Sequence, residues 1–243
     1  MERTKYFIII ALLVFVSVLR ADVYKEQIYQ SYIRNDISIW IDVMNKMQAE
    51  NLPTDEFQAE LLNYEYGYVG YCIGLEKDDE AEKYLGLART RMEKLEKRGW
   101  NPSMINAYKA AFYGFEIGLN SFKAPFIGPS SMSAAKAALQ LDPENWMAYV
   151  QYGNVQFYMP SVFGGSKSEA LEYFTKAKTL LEKKLQNNLK DWNYLNLLTL
   201  IGQSYEKMGN IDDARKTYEF ILKTEPGFDW VKNELYPQLI NKQ

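Results

Sequence analysis

The chemistry available to this chain is limited first by a residue type that it lacks. None of its 243 residues is a histidine. Histidine is the usual general base near neutral pH, the partner of serine or cysteine in catalytic dyads, and the commonest zinc ligand. The composition therefore argues against most hydrolases and zinc enzymes, and we expect a chain that is not an enzyme and uses no cofactor.

Two acidic groups and one glycine-rich segment remain as candidates for a chemical site. Asp78 with its acidic neighbours, and Asp212 with Asp213, fall where helices are expected to begin, and carboxylates there stabilise exposed amides. Residues 164–168 (GGSKS) resemble a phosphate loop, but Ser166 stands where the motif requires glycine before lysine. That segment also follows a predicted helix instead of a strand. We predict solvated helix starts and no phosphate site.

Cysteine usage and charge narrow the function further. Cys72 is the single cysteine, so the chain forms no intramolecular disulfide, and its place in the apolar run 66–75 predicts a buried structural thiol. The formal charge is −3, and it becomes −5 without residues 1–21, which carry three basic residues and one acidic residue. A mildly acidic chain offers no electrostatic basis for binding nucleic acid.

Apolar residues recur three and four positions apart over much of the chain, for example in residues 80–97 and 169–185. This spacing predicts helices with one buried face, and no comparable run alternates like a strand. Gly99 can end a helix, and Asn101 before Pro102 can start the next; Asp142 before Pro143 repeats that start signal. Basic residues in 89–98 alternate with glutamates, which predicts a solvated face.

Residues 198–226 carry the most distinctive spacing in the sequence. Their small and apolar residues follow a helical-hairpin repeat pattern, namely Leu198, Ile201, Gly202, Tyr205, Ala214, Tyr218 and Pro226. Gly202 and Ala214 are small where two antiparallel helices would cross closely, and Pro226 can open a helix but not continue one. On these residues the chain resembles the tetratricopeptide repeat (TPR) family, and an exported bacterial member of it.

Weaker copies of the pattern precede this repeat. They comprise Tyr149, Tyr152, Gly153, Ala170, Phe174 and Ala177; then Ala110, Tyr113, Gly114, Ala135, Ala138 and Pro143; and then Tyr66, Gly70, Ala81, Leu85 and Ala88. Inserted loops are expected at 159–165 and 123–128, and residues 28–48 could form a degenerate half-repeat or a cap. The four first-helix glycines are separated by 44, 39 and 49 residues, against about 34 in the family. An ordinary helical bundle with small residues at its crossings is the alternative.

The resemblance implies an all-α, TPR-like helical-hairpin solenoid with inserted loops. We expect a signal peptide at 1–21 and one domain at 22–243, with about four irregular repeats. The best repeat spans 195–228, and 229–243 forms a C-terminal capping helix that covers the last apolar face.

The resemblance also implies a binding site on the concave face, formed by the first helices of the repeats. Carried over to this sequence, the candidate groove residues are Tyr64, Tyr71, Tyr108, Phe115, Met147, Asn154, Phe157, Tyr158, Asn196, Thr199, Gln203 and Glu206. Aromatic rings on rigid helices can anchor peptide side chains or stack on apolar ligands. The alternative is that these aromatic residues only pack beneath the insertions.

The N-terminus predicts export. Arg3 and Lys5 precede the apolar run 6–19, and Ala21 stands where signal peptidase would cut; an uncleaved anchor is the alternative. The run is short for a membrane span. We expect a periplasmic or secreted mature chain that does not span a membrane.

Two functions follow from these expectations. The first is a non-catalytic exported adaptor that binds a protein or peptide of the cell envelope in the groove. The second is a periplasmic accessory protein, similar to the TPR partners of TRAP transporters, that binds an apolar small ligand. The missing lipid-anchor cysteine departs from that second group.

Overall fold

The computed structural model describes residues 22–50, 54–186 and 188–241. In chain order the helices are α1 (22–33), α2 (Ile37–Ala49), α3 (Asp55–Gly74), α4 (Asp78–Lys97), α5 (Pro102–Leu119), α6 (Ala124–Leu141), α7 (Trp146–Tyr158), α8 (Lys167–Leu185), α9 (Trp192–Lys207), α10 (Ile211–Thr224) and α11 (Tyr236–Ile240). Short 3-10 turns at Ser121–Lys123 and Ser161–Phe163 precede α6 and α8, and a π-helical turn at Val231–Leu235 precedes α11. The predicted signal peptide lies outside the described residues.

Four helical hairpins follow one another along the chain, namely α3–α4, α5–α6, α7–α8 and α9–α10. Neighbouring hairpins pack through α4 with α5, α5 and α6 with α7, and α8 with α9. The described residues contain no strand. The prediction of an all-α, TPR-like helical-hairpin solenoid is therefore confirmed, and α11 packs on α10 at the C-terminal end as the expected cap.

Side-chain caps fix where several of the helices begin. Asn101 Oδ1 accepts a hydrogen bond from Met104 N, and Gly99 has a φ of +74°, so the boundary between α4 and α5 lies where the sequence predicted it. The boundary between α6 and α7 differs. Asp142 ends α6, and Asn145 caps α7 by accepting from Met147 N at 3.0 Å. The expected start at Asp142 and Pro143 is wrong because Asn145 supplies a better cap.

The two insertions differ in structure. Residues 159–165 form the expected loop, which contains the 3-10 turn Ser161–Phe163. Residues 123–128 were expected to form a loop as well, but α6 begins at Ala124 and continues through Pro129. Pro125 lies in the first turn of α6, where its missing N–H costs nothing, so this insertion lengthens a helix.

Close crossings within hairpins distinguish the last two repeats from the first two. A Cβ atom at Gly153 would lie 2.7 Å from Phe174 Cδ1, and one at Gly202 would lie 3.0 Å from Tyr218 Cδ1. Only glycine permits these crossings. A Cβ at Gly114 would meet nothing within 4 Å. In the second hairpin the close crossing instead uses Ala110 of α5, which packs with two alanines of α6.

The N-terminal helices connect the two ends of the solenoid. Trp40 of α2 lies 5.1 Å from Trp192 of α9 between ring centroids, and its Nε1 donates to the carbonyl oxygen of Tyr64 on α3. Tyr32 of α1 contacts the Trp192 ring at 5.9 Å and the Phe228 ring at 5.1 Å. One large hydrophobic core consequently includes residues from 24 to 239, beside the small alanine cluster of the second hairpin.

One ion pair departs from the predicted solvated face of α4. Arg91 donates from Nε and Nη2 to both carboxylate oxygens of Glu65 at 2.9 and 3.0 Å, and from Nη1 to Gln58. Glu65 is buried, and burial raises its pKa above the ordinary value although Arg91 acts to lower it. Arg91 therefore neutralises a carboxylate inside the core instead of lying in solvent.

Cys72 is buried, as predicted, and burial raises the pKa of its thiol. Across the part of the chain that the structure describes, no helix has both the length and the hydropathy that a bilayer crossing needs.

Candidate functional site

The candidate groove residues have very different exposures. Tyr64, Tyr108, Met147, Phe157 and Thr199 are buried. Tyr71, Phe115, Asn154, Asn196, Gln203 and Glu206 are partly buried. Tyr158 alone among the twelve is exposed, with 70% of its surface accessible. The structure thus does not provide the continuous open groove that the resemblance implied.

Internal packing explains this correction. The rings of Tyr64 and Trp40 lie 6.1 Å apart, and Tyr108 packs on Phe112 at 6.1 Å. Phe157 lies against Phe174 of the paired helix at 6.4 Å. These side chains face neighbouring helices instead of an open concave face, so packing, the alternative considered above, accounts for them.

Five side chains lie together where α3, α5 and α7 meet, and we call this group the aromatic cleft. Tyr66 and Gln151 are buried, Phe115 and Asn154 are half-buried, and Tyr158 is exposed. Tyr66 and Phe115 form its floor, because their rings stack with centroids 5.4 Å apart and planes inclined by 27°. Tyr66 is also held from behind by Tyr108 at 6.0 Å. The floor is therefore a fixed aromatic surface.

A chain of amides lies beside this floor. Gln151 Nε2 donates to the Tyr66 hydroxyl oxygen at 3.1 Å, and Asn154 Nδ2 donates to Gln151 Oε1 at 3.3 Å. Burial raises the pKa of Tyr66 to about 12, so its hydroxyl remains protonated at neutral pH. Asn154 Oδ1 is buried and has no hydrogen-bond partner among the described residues. A buried acceptor without a partner is costly, and a donor from a ligand would satisfy it.

Tyr158 forms the open side of the aromatic cleft. Its ring lies 5.0 Å from Phe157 in an edge arrangement, which holds it at the end of α7. Although the Tyr158 side chain is largely exposed, burial raises the pKa of its hydroxyl. The charge of Tyr158 in turn raises the pKa of the Tyr66 hydroxyl. Tyr158 is therefore an exposed ring at the end of α7, close enough to Tyr66 for its charge to affect that hydroxyl.

One cation lies beside the aromatic cleft. Lys167 Nζ lies 4.6 Å from the centroid of the Phe157 ring and donates to the Phe157 carbonyl oxygen. Burial lowers the pKa of Lys167, and the charge of Lys207 lowers it further. No carboxylate of the described residues pairs with Lys167. Lys167 is thus available to an anionic group of a ligand.

No cluster of three or more possible metal-ligating side chains occurs in residues 22–50, 54–186 and 188–241. Tyr66 and Gln151 belong to the aromatic cleft but were not among the predicted site residues. The repeat pattern gives Tyr66 a packing role in the first repeat. Only its nearness in sequence to the aromatic residues Tyr64 and Tyr71 indicates a role in binding.

Fold and site together define a helical-hairpin solenoid whose N-terminal helices pack against α9 and which carries an exposed aromatic ring, Tyr158, beside a cluster of aromatic and amide side chains. Among solved structures, the chain is similar to the HusA haemophore from Porphyromonas gingivalis, with a TM-score of 0.61 and 18% sequence identity. The match covers 77% of this chain and 93% of the haemophore chain. No protein-family model and no curated protein matches the sequence. At this identity the likeness shows a shared fold.

Proposed function

We propose that this chain is an exported, non-catalytic member of the TPR family that binds a planar, mainly apolar small molecule in the aromatic cleft. The observation that carries the proposal is Tyr158, an aromatic ring that is open to solvent at the end of α7 beside the aromatic cleft. A flat ligand could stack between this ring and the fixed pair of Tyr66 and Phe115. Membership of the TPR family is supported by the glycine crossings at Gly153 and Gly202.

The ligand class that fits best is a porphyrin such as haem. The fold neighbour is a haemophore, and a porphyrin combines a broad aromatic face with carboxylates. In the aromatic cleft the face would stack on the rings, and Lys167 would attract a carboxylate.

Recognition should depend on the ring system more than on an iron atom. The chain has no histidine, and the iron ligand that Tyr158 could supply is a phenolate. Burial raises the pKa of Tyr158, which opposes formation of that phenolate. We therefore expect haem and iron-free protoporphyrin to bind with similar affinity.

The adaptor hypothesis has less support from the structure. It needs an open concave groove along the first helices, but Tyr32 and Trp40 pack against Trp192 in that space. Five of the proposed groove side chains are buried. The small-ligand alternative requires only the aromatic cleft, which is accessible at Tyr158.

Titration with haem and with protoporphyrin, followed by absorbance and by quenching of tryptophan fluorescence, tests the proposal. Tyr158→Ala should weaken binding by about 2 kcal/mol, or about 30-fold, because it removes one stacking face. Tyr158→Phe keeps the ring and should bind like the wild type. Phe220→Ala is the matched control, since it removes a half-exposed ring on α10, outside the aromatic cleft.

The outcomes separate the hypotheses. Unchanged affinity in Tyr158→Ala would remove the aromatic cleft as the site. Binding of haem alone, abolished in Tyr158→Phe, would show iron coordination and contradict recognition through the ring system. If neither compound binds the wild-type chain, the porphyrin assignment is wrong.

A further inference from the structure

The most exposed large apolar side chains of the described residues are concentrated in two segments. Phe122 and Phe126 lie in and after the 3-10 turn before α6, and they are 87% and 81% exposed. Val162 and Phe163 lie in the 3-10 turn before α8 and are 84% and 76% exposed. Single exposed apolar residues are ordinary on protein surfaces. Four in two short segments, one comprising the turn before α6 and the start of α6 and the other the turn before α8, form a feature that needs an explanation, and we call them the apolar tips.

Both pairs of tips lie at one edge of the solenoid. They follow the C-terminal ends of α5 and α7, which are the first helices of adjacent hairpins and pack on each other. The end of α3 lies at the same edge, since a Cβ at Gly118 of α5 would be 3.4 Å from Ile73. The aromatic cleft, with Tyr158 at the end of α7, opens near this edge.

The turns hold these side chains outward. Asn120 Oδ1 accepts from Phe122 N at 3.1 Å, and Lys123 N donates to the Asn120 carbonyl oxygen at 3.0 Å. In the second turn Phe163 N donates to the Pro160 carbonyl oxygen at 2.9 Å. Because the backbone is fixed by these bonds, the exposed rings are presented on short, ordered turns.

The charge around the apolar tips is also distinctive. The chain has 31 acidic residues, but none lies in 117–141 or 145–168, the segments that contain both turns. The lysines there include Lys123 and Lys167, one beside each turn. Lys123 also lies 3.8 Å from Glu116, the acidic residue directly before the first of these segments. Exposed apolar side chains flanked by cations, with few carboxylates nearby in sequence, are the combination that enters the interface of an anionic bilayer.

We propose that the apolar tips dock this protein on anionic phospholipid, with Phe122, Phe126, Val162 and Phe163 entering the interface and Lys123 and Lys167 meeting the headgroups. The protein would bind reversibly at the surface through side chains that the fold does not bury. The inference does not require the ligand proposed for the aromatic cleft, although the two proposals share Lys167.

Vesicle flotation tests the docking surface. The chain from Asp22 onward retains every residue of the core and avoids the apolar run at 6–19. We expect it to float with vesicles of phosphatidylglycerol and phosphatidylcholine, more weakly with phosphatidylcholine alone, and less as salt rises. The double variant Phe122→Ala with Phe163→Ala should lose at least about 10-fold in partitioning, because two rings no longer leave water. Phe220→Ala is the control and should float like the wild type.

Circular dichroism of each variant shows whether the helices remain intact. No flotation of the wild-type chain, or equal flotation of the double variant, would overturn the proposal. Capture of an envelope protein through the same four residues, without vesicle binding, would overturn the lipid assignment in favour of a protein partner. Tyr158→Ala should float like the wild type. The flotation result can therefore be interpreted even if the porphyrin titration fails.

Discussion

The glycine at the crossing of α9 and α10 gives the sharpest test of the repeat register. In the middle of a helix, replacing glycine by alanine ordinarily stabilises a protein by about 0.5–1 kcal/mol. At Gly202 the new Cβ would lie 3.0 Å from Tyr218 Cδ1 and closer still to Cε1. Tyr218 is fully buried and its hydroxyl donates to Glu206 at 3.4 Å, so its ring has little freedom to move. Overpacking of this kind costs about 1–3 kcal/mol.

The two effects oppose each other, and the clash should dominate. We expect Gly202→Ala to lower the free energy of unfolding by about 1–2 kcal/mol, and Gly202→Leu to lower it more. Gly86→Ala is the matched control, because Gly86 is an exposed residue in the middle of α4 whose Cβ would meet nothing within 4 Å. That variant should gain about 0.5–1 kcal/mol.

Urea denaturation followed by circular dichroism at equal m values measures the difference directly. In thermal unfolding the two alanine variants should differ by about 3–12 °C, since 1 kcal/mol corresponds to about 2–4 °C for a chain of this size. If Gly202→Ala is as stable as Gly86→Ala, the crossing is not close and the assigned register of the last repeat is wrong.

Three further predictions follow from buried groups and from the N-terminus. Burial raises the pKa of Glu65 above 4.5, so its contribution to stability is complete below that value and is lost as the pH rises through the folded pKa. In urea titrations the wild type should therefore lose stability relative to Glu65→Gln as the pH rises over this range. A constant difference between the two proteins would contradict the burial of Glu65. Cys72 should react slowly with a thiol reagent in the folded protein and rapidly in urea, so fast labelling without denaturant would show that the thiol is open. N-terminal sequencing of the exported protein should begin at Asp22, after cleavage at Ala21, and a retained Met1 would contradict the predicted signal peptide.

Local signals in the sequence predicted the helices and the last two hairpins well. Gly202 with Tyr218, and Gly153 with Phe174, form crossings within single hairpins, where the interacting residues are close in sequence. The cap at Asn101 was also readable, because a capping side chain bonds to an amide only three residues away. Features of this kind depend on short stretches of chain.

Features that depend on distant contacts were not predictable in the same way. The sequence left residues 28–48 as a half-repeat or a cap, and nothing local indicates that Tyr32 and Trp40 would pack on Trp192. That packing is the reason why the expected groove is filled. The repeat register extrapolated across the insertion at 123–128 was also unreliable, because Gly114 does not occupy a close crossing and residues 124–128 are helical.

For the same reason, only part of the site was predictable from the sequence. Asn154, Phe115 and Tyr158 were named from the register of the repeats, whereas Tyr66 and Gln151 become site residues only because α3 and α7 meet. Their hydrogen bond joins positions 85 residues apart. A spacing rule assigns residues within a single repeat, so it cannot identify a pair whose members come from two different repeats.

The aromatic cleft itself can be tested most directly by ring-current shifts. Protein with isotope-labelled tyrosine and phenylalanine side chains would be titrated with iron-free protoporphyrin, which is diamagnetic, and the aromatic signals assigned through single substitutions. We predict large shifts for Tyr66, Phe115 and Tyr158, with Phe220 unchanged. Shifts confined to the apolar tips at Phe122, Phe126 and Phe163, or no shifts at saturating porphyrin, would contradict the assignment of the binding site to this cleft.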